Sequence, residues 1–481
     1  MLDADDPSAT DRERQGAHAC EEYEDALPLQ EMEAVCAVAE PEASKSSEKA
    51  SRTMFLTTEL SELHDVRGHP ECLQRTQVVR ERILKEFTDI EVVRDIPEAT
   101  EKQLMLFHTK AHVDNLIKLF RQVDDRISLI GEEKKQLVTH EIDEDTVIVQ
   151  GTREAALTAA GAVCHAIDLV MSDDSAAVNA FCAVRPPGHH AEPHKAMGFC
   201  FFNNIGIGAC HLLSKYGDEV KRILILDFDV HHGNGTQAKF FQDYPQICFV
   251  STHQGAFYPF TGKGSERGSH DNIINIPLHA RTASQSYRAN FEAKVLPALH
   301  TFRPDFVLIS AGFDAHRLDP LADVALETED YYWITKHVTE IAKLYAQGRV
   351  VSSLEGGYHL EALAASAAAH MRALVEAAVS SPLQAETATT AADIDQLTQS
   401  FASSVSLSPT SQDLRVTVHV DGKEKLLLLK ERSLKALLQA CKNKFNLKKR
   451  AKTVSIQDVH GTTLTDAALQ TLPHDRHLYL R

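Results

Sequence analysis

The fold is decided by the stretch Ile223-Leu224-Ile225-Leu226-Asp227-Phe228-Asp229-Val230-His231-His232-Gly233-Asn234-Gly235. Its apolar start, residues 223–226, is typical of a strand buried on both faces of a parallel sheet. Side chains alternate along a strand, so Asp227, Asp229 and His231 would point to the same side. Two carboxylates and an imidazole at one strand end are costly to bury unless a cation lies between them. A divalent metal is the natural candidate.

The same pattern, a short apolar strand followed by polar residues and glycines, recurs along the chain. An isolated Asp-x-His would be better explained as a polar strand end with a helix cap, but several strand ends here are alike. Alternating strands and helices indicate an α/β fold with a doubly wound parallel sheet. In such sheets ligands bind beyond the carboxyl ends of the strands, which favours an enzyme. The predicted strands are 180–184, 223–226, 247–250, 306–309 and 350–351.

The composition is that of an ordinary globular protein. The chain has 481 residues, of which 43% are hydrophobic and 25% charged, enough for one large domain and a smaller one. It has no apolar run of membrane-spanning length and no basic-then-apolar signal peptide, so we expect no membrane association and an intracellular location, in nucleus or cytoplasm. Nine cysteines without a Cys-x-x-Cys pair argue against a disulfide framework or a structural zinc finger.

The net charge of −18 is spread unevenly along the chain. Residues 1–50 hold 14 acidic and 4 basic side chains, residues 414–481 hold 6 acidic and 14 basic ones, and the middle carries −16. An acidic middle argues against direct reading of nucleic acid. It is compatible with cationic partners such as lysine-rich protein tails.

These shifts in composition divide the chain into four parts. We predict a disordered acidic tail over residues 1–52, a large globular domain over 53–378 and a flexible Ser/Thr/Ala/Gln linker over 379–413. Residues 414–481 predict a small α+β domain. Its expected elements are strands at 415–420 and 426–429 joined by an Asp421-Gly422 turn, a helix at 433–445, and strands at 453–459 and 477–480.

A set of motifs in the large domain resembles the zinc-dependent histone deacetylase family, most closely its class II branch and the related bacterial deacetylase-like amidohydrolases. Each motif is modest alone, but the ordered set is specific. The resemblance covers about residues 53–378 and implies the arginase/deacetylase-type fold. It also implies hydrolysis of acetylated lysine in histones or other proteins, with release of acetate. The motifs lie at residues 185–190, 198–204, 227–235, 310–320 and 355–358.

The resemblance assigns a metal site to three of these residues. Asp229, His231 and Asp314 would bind one zinc ion and leave a position open for water and the substrate carbonyl, as a catalytic zinc site requires. Two carboxylates and one imidazole would also suit ferrous iron or manganese. Asp227, with Ser251 nearby in the fold, could also bind a structural potassium ion.

The resemblance assigns the proton-transfer residues as well. His189 and His190 would form the acid–base pair, with Asp227 hydrogen-bonded to His189 and Asn234 supporting His190. A neutral amide does not raise the pKa of an imidazole as a carboxylate would, so we expect the two histidines to differ in basicity.

Tyr358 would stabilise the tetrahedral oxyanion by donating a hydrogen bond. It follows Gly356-Gly357, a flexible pair that would let the phenol reach the metal and that places Gly357 at the substrate. A buried structural tyrosine is the alternative, and only the family resemblance favours the catalytic role.

The rim of the site is assigned by the same resemblance. Phe199 and Tyr258 would form aromatic walls around the lysine methylenes, and Asp143 would hold substrate backbone amides, although an exposed acidic loop explains Asp143 equally well. Leu321 occupies the place of a glutamate that polyamine deacetylases carry, which favours peptide lysine. Phe260 departs from the glycine usual in the family, so the rim geometry and the substrate preference are open.

The C-terminal domain resembles ubiquitin-like β-grasp modules. Its basic cluster, between residues 442 and 452, could meet an acidic protein partner or act as a nuclear import signal. A solvated helix end is the simpler account.

Three other functions are weighed against the lysine deacetylase. An acetylpolyamine deacetylase is the nearest alternative. A ureohydrolase of the same fold is disfavoured because its Asp-Ala-His-x-Asp element is absent. A non-catalytic corepressor or binding scaffold is disfavoured because all three metal ligands and Tyr358 are present.

Overall fold

The computed structural model describes residues 52–130 and 138–379, together with the backbone of four strands between residues 414 and 480. The predicted acidic tail up to residue 51 and the predicted linker from residue 380 lie outside the described residues.

A parallel sheet forms the centre of the large domain. The strands are β1 (Arg52–Thr57), β2 (Glu91–Val93), β3 (His140–Glu141), β4 (Val147–Ile148), β5 (Ala177–Ala183), β6 (Ile223–Asp227), β7 (Ile247–Gln254), β8 (Ile273–Leu278), β9 (Phe306–Ala311) and β10 (Val350–Leu354). Eight of them form one sheet in the order β2-β1-β5-β10-β9-β6-β7-β8. Every pairing in this sheet is parallel. The remaining two, β3 and β4, form a small antiparallel pair.

Helices connect the strands. They are α1 (Gln74–Glu86), α2 (Glu101–Phe107), α3 (Lys110–Ile130), α4 (Thr152–Val170), α5 (Asn204–Tyr216), α6 (Asn234–Phe240), α7 (Ser284–Asn290), α8 (Leu296–Phe302), α9 (Thr328–Tyr345) and α10 (Leu360–Val379). By length and composition α10 could cross a membrane, but 67% of its apolar window is buried inside the domain.

Alternation along the strands builds a separate apolar core on each face of the sheet. In β6, Ile223 and Ile225 belong to one core, and Leu224 and Leu226 belong to the other. The first core also contains apolar residues of α2 to α5, and the second contains those of α1, α9 and α10. Each such side chain contributes about 1.5–3 kcal/mol when it is fully buried. The doubly wound parallel sheet predicted from the sequence is therefore confirmed.

The predicted strands correspond to β5, β6, β7, β9 and β10, whereas β1, β2 and β8 were not predicted. β8 contains Pro277, which would break a ladder inside a sheet. Because β8 lies at the edge of the sheet, its proline is tolerated there. β1 begins at Arg52, the last residue of the predicted acidic tail, so the local composition obscures it.

The register of the central strands brings the polar loops to one edge. Asp227, the last residue of β6, is the register partner of Ser251 in β7 and of Ser310 in β9. Ser310 is in turn the partner of Ser353 in β10. The loops that follow β5, β6, β9 and β10 therefore start side by side, as expected for ligand sites in open α/β sheets.

A buried ion network links the segment before α1 to this edge. Glu71 accepts hydrogen bonds from Arg75 Nη1 at 2.8 Å and from Arg185 Nε at 2.5 Å. Arg75 also donates from Nε to the carbonyl of Gly357 at 2.7 Å. Burial works to raise the pKa of Glu71, but the two arginines outweigh it and lower the pKa to about 2.

The C-terminal part contributes four described strands, β11 (Leu414–Val420), β12 (Lys423–Leu429), β13 (Ile456–Gln457) and β14 (Arg476–Leu480). They pair in the order β12-β11-β14-β13, with β11 antiparallel to β12 and parallel to β14. The helix predicted at 433–445 and the Asp421-Gly422 turn lie outside the described residues. The β-grasp assignment stays a prediction.

We predict that Glu71→Gln destabilises the domain by about 3–5 kcal/mol, because it leaves buried arginines without their anion. The pKa of Glu71 is lower in the folded chain, about 2 against an ordinary 4.5. Its contribution is therefore complete above pH 4.5 and disappears as the pH falls toward 2. Urea unfolding of both proteins at several pH values measures the difference.

Glu86→Gln is the matched control, because Glu86 forms an i,i+4 pair with Arg82 on the same helix but in an exposed position. This variant should stay within about 0.5 kcal/mol of wild type. Equal losses in the two variants would contradict the importance of the buried network.

Candidate active site

Three predicted metal ligands converge beyond the ends of β6 and β9. Nδ1 of His231 lies 3.0 Å from Oδ1 of Asp229 and 3.1 Å from Oδ2 of Asp314. The ligand atoms of the three residues all lie within 4.8 Å of one another. Ligand atoms on a tetrahedral zinc ion are about 3.4 Å apart, given bonds of about 2.1 Å. The spacing fits a single divalent cation.

Backbone N–H groups aim the two carboxylates. Asp314 Oδ1 accepts a hydrogen bond from Val230 N at 2.8 Å, and Asp229 Oδ2 accepts one from Gly356 N at 2.7 Å. A Cβ atom at Gly356 would lie 2.0 Å from Asp314 Oδ2, and one at Gly312 would lie 2.0 Å from Asp229 Oδ2. Glycine at these two positions therefore keeps the space around the carboxylates free of side chains.

The charge balance of this cluster also favours a cation. Asp227, Asp229 and Asp314 are all fully buried. Burial, and then the charge of Asp229, raises the pKa of Asp314 to about 7. A carboxyl group with this pKa is held in an environment that disfavours another negative charge. A divalent cation would remove that penalty, so the donor set fits a zinc site.

The predicted histidine pair lies beside the ligands, with the two rings 4.0 Å apart. His189 Nδ1 lies 3.0 Å from Asp227 Oδ2, and His190 Nδ1 lies 2.7 Å from Asn234 Oδ1. Burial lowers the pKa of His189, but Asp229 and Asp227 outweigh this and raise it to about 10. Burial and the neighbouring His189 hold the pKa of His190 well below its usual range. The two histidines thus differ in basicity.

Tyr358 is half-buried near the end of the loop between β10 and α10. Its backbone N–H donates to Asp319 Oδ2 at 2.7 Å, and the Arg75 guanidinium lies 4.9 Å from the centre of its ring. Gly357, just before it, has a φ of 119°, a backbone conformation that favours glycine. Desolvation raises the pKa of the phenol well above its usual range, so Tyr358 keeps its proton and can donate it in a hydrogen bond.

The two predicted aromatic walls contact different residues of the site. The ring of Tyr258 is 5.2 Å from that of His190 and 6.2 Å from that of His231. The ring of Phe199 is 5.9 Å from that of Tyr358. Both walls are half-buried, so part of each ring remains open to a ligand.

Two of the predicted rim residues, Asp143 and Leu321, form hydrogen bonds within their own loops, whereas Phe260 is exposed. Asp143 Oδ1 accepts hydrogen bonds from Thr146 N at 2.7 Å and Asp145 N at 3.3 Å, so this oxygen already stabilises its own loop. The backbone N–H of Leu321 donates to Asp319 Oδ1 at 3.0 Å. Phe260 is 76% exposed and has a φ of 65°, so an apolar ring stands free in a strained backbone conformation.

Comparison with known proteins agrees with this geometry. The family model for the histone deacetylase domain matches residues 69–374. The chain belongs to the histone deacetylase family.

Relatives and a solved structure agree with the family assignment. Histone deacetylase 14, chloroplastic, from Arabidopsis thaliana is 38% identical over 325 residues, which cover 65% of this chain and 74% of that protein. Histone deacetylase clr3 from Schizosaccharomyces pombe is 34% identical over 328 residues, covering 65% of this chain and 46% of that protein. The crystal structure of the HDA15 HD domain matches with a TM-score of 0.59 at 32% identity, covering 69% of this chain and 91% of that chain. Enzymes of this family hydrolyse acetylated lysine, typically with zinc.

Several residues that support the site were not singled out from the sequence. Asp319 holds the backbone of both Tyr358 and Leu321. Glu355 Oε2 accepts hydrogen bonds from Gly188 N at 2.6 Å and His189 N at 3.1 Å, which fixes the histidine loop. Asp319 lies inside a recognised motif and could have been found there. Glu355 also lies inside a recognised motif, at its first residue, but its hydrogen bonds could not be predicted, because its partners lie more than 160 residues away.

We predict that His231→Ala and Asp314→Asn lose bound metal while the domain still folds. Both residues lie beyond strand ends. The contacts of Asp227 with His189 and of Asn234 with His190 do not involve either of them. Elemental analysis of purified protein, with a thermal melt on the same sample, measures both properties.

Asp323→Asn is the control, since Asp323 is an exposed aspartate in the loop that also contains Asp314. It should keep the wild-type metal content. Full zinc occupancy in both ligand variants would overturn the assignment of the site.

Proposed function

We propose that this protein is a zinc-dependent lysine deacetylase that hydrolyses Nε-acetyl-lysine in proteins and releases acetate. The observation that carries the proposal is the convergence of Asp229, His231 and Asp314 within 4.8 Å, beside a buried histidine pair. The half-buried rings of Phe199 and Tyr258 would flank an entering acetyl-lysine chain.

A divalent cation on these three ligands would polarise the acetamide carbonyl and lower the pKa of water. The residues of the chain do the rest. His190 is the neutral imidazole of the pair, so it accepts a proton at Nε2 from the water that attacks the carbonyl carbon. As the C–N bond breaks, the proton passes to the lysine amine.

His189 and Tyr358 have the complementary role. Carboxylates raise the pKa of His189 against the effect of burial, and its contact with Asp227 favours the protonated form beside the reacting centre. Tyr358 keeps its phenolic proton and donates a hydrogen bond to the oxyanion. His189, paired with the carboxylate of Asp227, thus stabilises charge, whereas His190, bound to the amide of Asn234, transfers the proton.

The nearest alternative is an acetylpolyamine deacetylase. Leu321 argues against it, because the family resemblance places this apolar side chain at the rim, where a free polyamine would need an anion. Asp227 and Ser251, partners in the sheet register, would hold a structural potassium ion. An acidic protein partner for the C-terminal module, and a nuclear or cytoplasmic location, are further parts of the proposal.

Turnover of the zinc-loaded protein on acetyl-lysine peptides and on acetylspermidine tests the proposal. Acetate release should be faster from the peptides. Faster release from acetylspermidine would favour the alternative, and no release from either substrate would support a binding scaffold.

We predict that Tyr358→Phe lowers kcat by about a hundredfold or more and leaves KM near the wild-type value, because one oxyanion donor is lost. Steady-state kinetics on one acetylated peptide measures both constants. Tyr345→Phe is the control, since that tyrosine pairs with His300 on the surface and should not change kcat. Wild-type turnover in Tyr358→Phe would mean that another group stabilises the oxyanion.

We predict that a chain ending after Val379, the last residue of α10, keeps full turnover on a short acetylated peptide. All the proposed catalytic and metal-binding residues precede that position, and domains joined by long polar linkers usually fold separately. Kinetics of the full-length and shortened chains on one peptide tests this. Loss of peptide turnover on truncation would make the C-terminal module part of the catalytic unit.

A further inference from the structure

The amide of Asn234 lies between His190 and a carboxylate that the mechanism above does not use. Asn234 Oδ1 is 2.7 Å from His190 Nδ1, and Asn234 Nδ2 donates to Glu192 Oε1 at 2.9 Å. Asn234 is only 6% exposed and is the first residue of α6. The three side chains therefore form a hydrogen-bonded row from the edge of the protein to the reacting imidazole.

The carboxylate of Glu192 determines the direction of both hydrogen bonds in the row. An ionised carboxylate can only accept hydrogen bonds, so the NH₂ group of Asn234 must face Glu192. The amide oxygen must then face His190, whose Nδ1 has to carry the hydrogen. Nε2 is left as the acceptor nitrogen, which is the tautomer that can take a proton from water.

Glu192 is well placed to hold this direction. Its backbone forms a short antiparallel bridge with Lys195, and its carbonyl lies 3.0 Å from His108 Nδ1. Its side chain is 25% exposed, so the carboxylate stays partly solvated. His194 Nε2, on the outer side, is 3.8 Å from Glu192 Oε2 and does not take part in the row.

We propose that Glu192 is a positioning residue that acts through Asn234 to set the tautomer and orientation of His190. The inference deepens the proposed function, since it rests on His190 moving the proton. Without Glu192 the Nδ2 group of Asn234 retains only its weak contact with Met197 Sδ at 3.5 Å, so the amide can rotate by half a turn. It would then present Nδ2 to His190, which favours the tautomer with hydrogen on Nε2 and blocks the base.

The test measures kcat and KM for wild type, Glu192→Ala and Glu192→Gln on one acetylated peptide with zinc-loaded enzyme. General acid–base transfer contributes about 10²–10⁴-fold, and we expect Glu192→Ala to lose about tenfold in kcat with KM within about twofold of wild type. Glu192→Gln should recover a large part of that loss, because its amide oxygen can still accept from Asn234. Equal losses in the two variants, or a loss confined to KM, would overturn the proposal.

His194→Ala is the matched control. It removes the outer neighbour of Glu192 without touching the row, so its kcat should stay at the wild-type value. A loss in kcat equal to that of Glu192→Ala would assign the effect to the charge or shape of this loop and overturn the proposal.

Asn234→Asp supplies a second, independent comparison. A carboxylate at position 234 accepts from His190 Nδ1 without needing any orientation, so adding Glu192→Ala to this variant should not lower kcat further. A further tenfold loss in the double variant would contradict an action through Asn234. If Asn234→Asp lacks a cooperative melt, the Ala, Gln and His194 variants decide the question alone.

Failure of this inference is distinct from failure of the proposed function. If wild type releases no acetate from any acetyl-lysine peptide, the proposed function fails and the positioning role falls with it. If wild type is active and Glu192→Ala keeps the full kcat, only the positioning role of Glu192 is overturned.

Discussion

The structure depends on the burial of Asp227, Asp229 and Asp314 at one edge of a parallel sheet. Mutual repulsion of carboxylates in a medium of low dielectric is expensive, and it has to be offset by donors and cations. Backbone N–H groups supply part of the compensation, at Asp229 N, Val230 and Gly356. The histidines supply another part. A divalent cation on the three side chains would complete it. The arrangement that is costly for the fold would then also serve the proposed chemistry.

A buried ion network around Glu71 contacts the loop between β10 and α10. Glu71 is fully buried between Arg75 and Arg185, and Arg75 donates to the carbonyls of Gly357 at 2.7 Å and Glu355 at 2.5 Å. Replacing a buried ion network by packed apolar residues often leaves stability unchanged, so stability alone does not explain its presence. Its donors instead hold the loop that carries Tyr358. The network therefore connects the packing of the domain to the position of Tyr358.

The sequence predicts the parts of the site that depend on short-range pattern. Alternation along an extended chain predicts Asp227, Asp229 and His231 on one side, although β6 ends at Asp227 and the other two residues lie in the loop that follows. Parallel strands bring Asp314 to the same edge. The family resemblance, not geometry, suggested the roles of Tyr358, Phe199 and Tyr258. What could not be predicted are contacts between distant segments, such as those of Arg75 with residue 357 and of Asp319 with Tyr358. No local periodicity encodes such contacts, because each depends on the completed fold.

The choice of an amide at position 234 follows from the same electrostatics. A carboxylate there would be a further buried acidic group beside Asp227, Asp229, Asp314 and Glu355, and each added anion would further raise the pKa of its neighbours. An amide has no charge, yet it still fixes His190 by hydrogen bonding. The negative charge then resides on Glu192, one side chain further out, where 25% exposure keeps it solvated. With the carboxylate at Glu192 and an amide at Asn234, the hydrogen bonds from Glu192 to His190 keep their direction. The repulsion between this carboxylate and those of Asp227, Asp229 and Asp314 is smaller than it would be for a carboxylate at position 234.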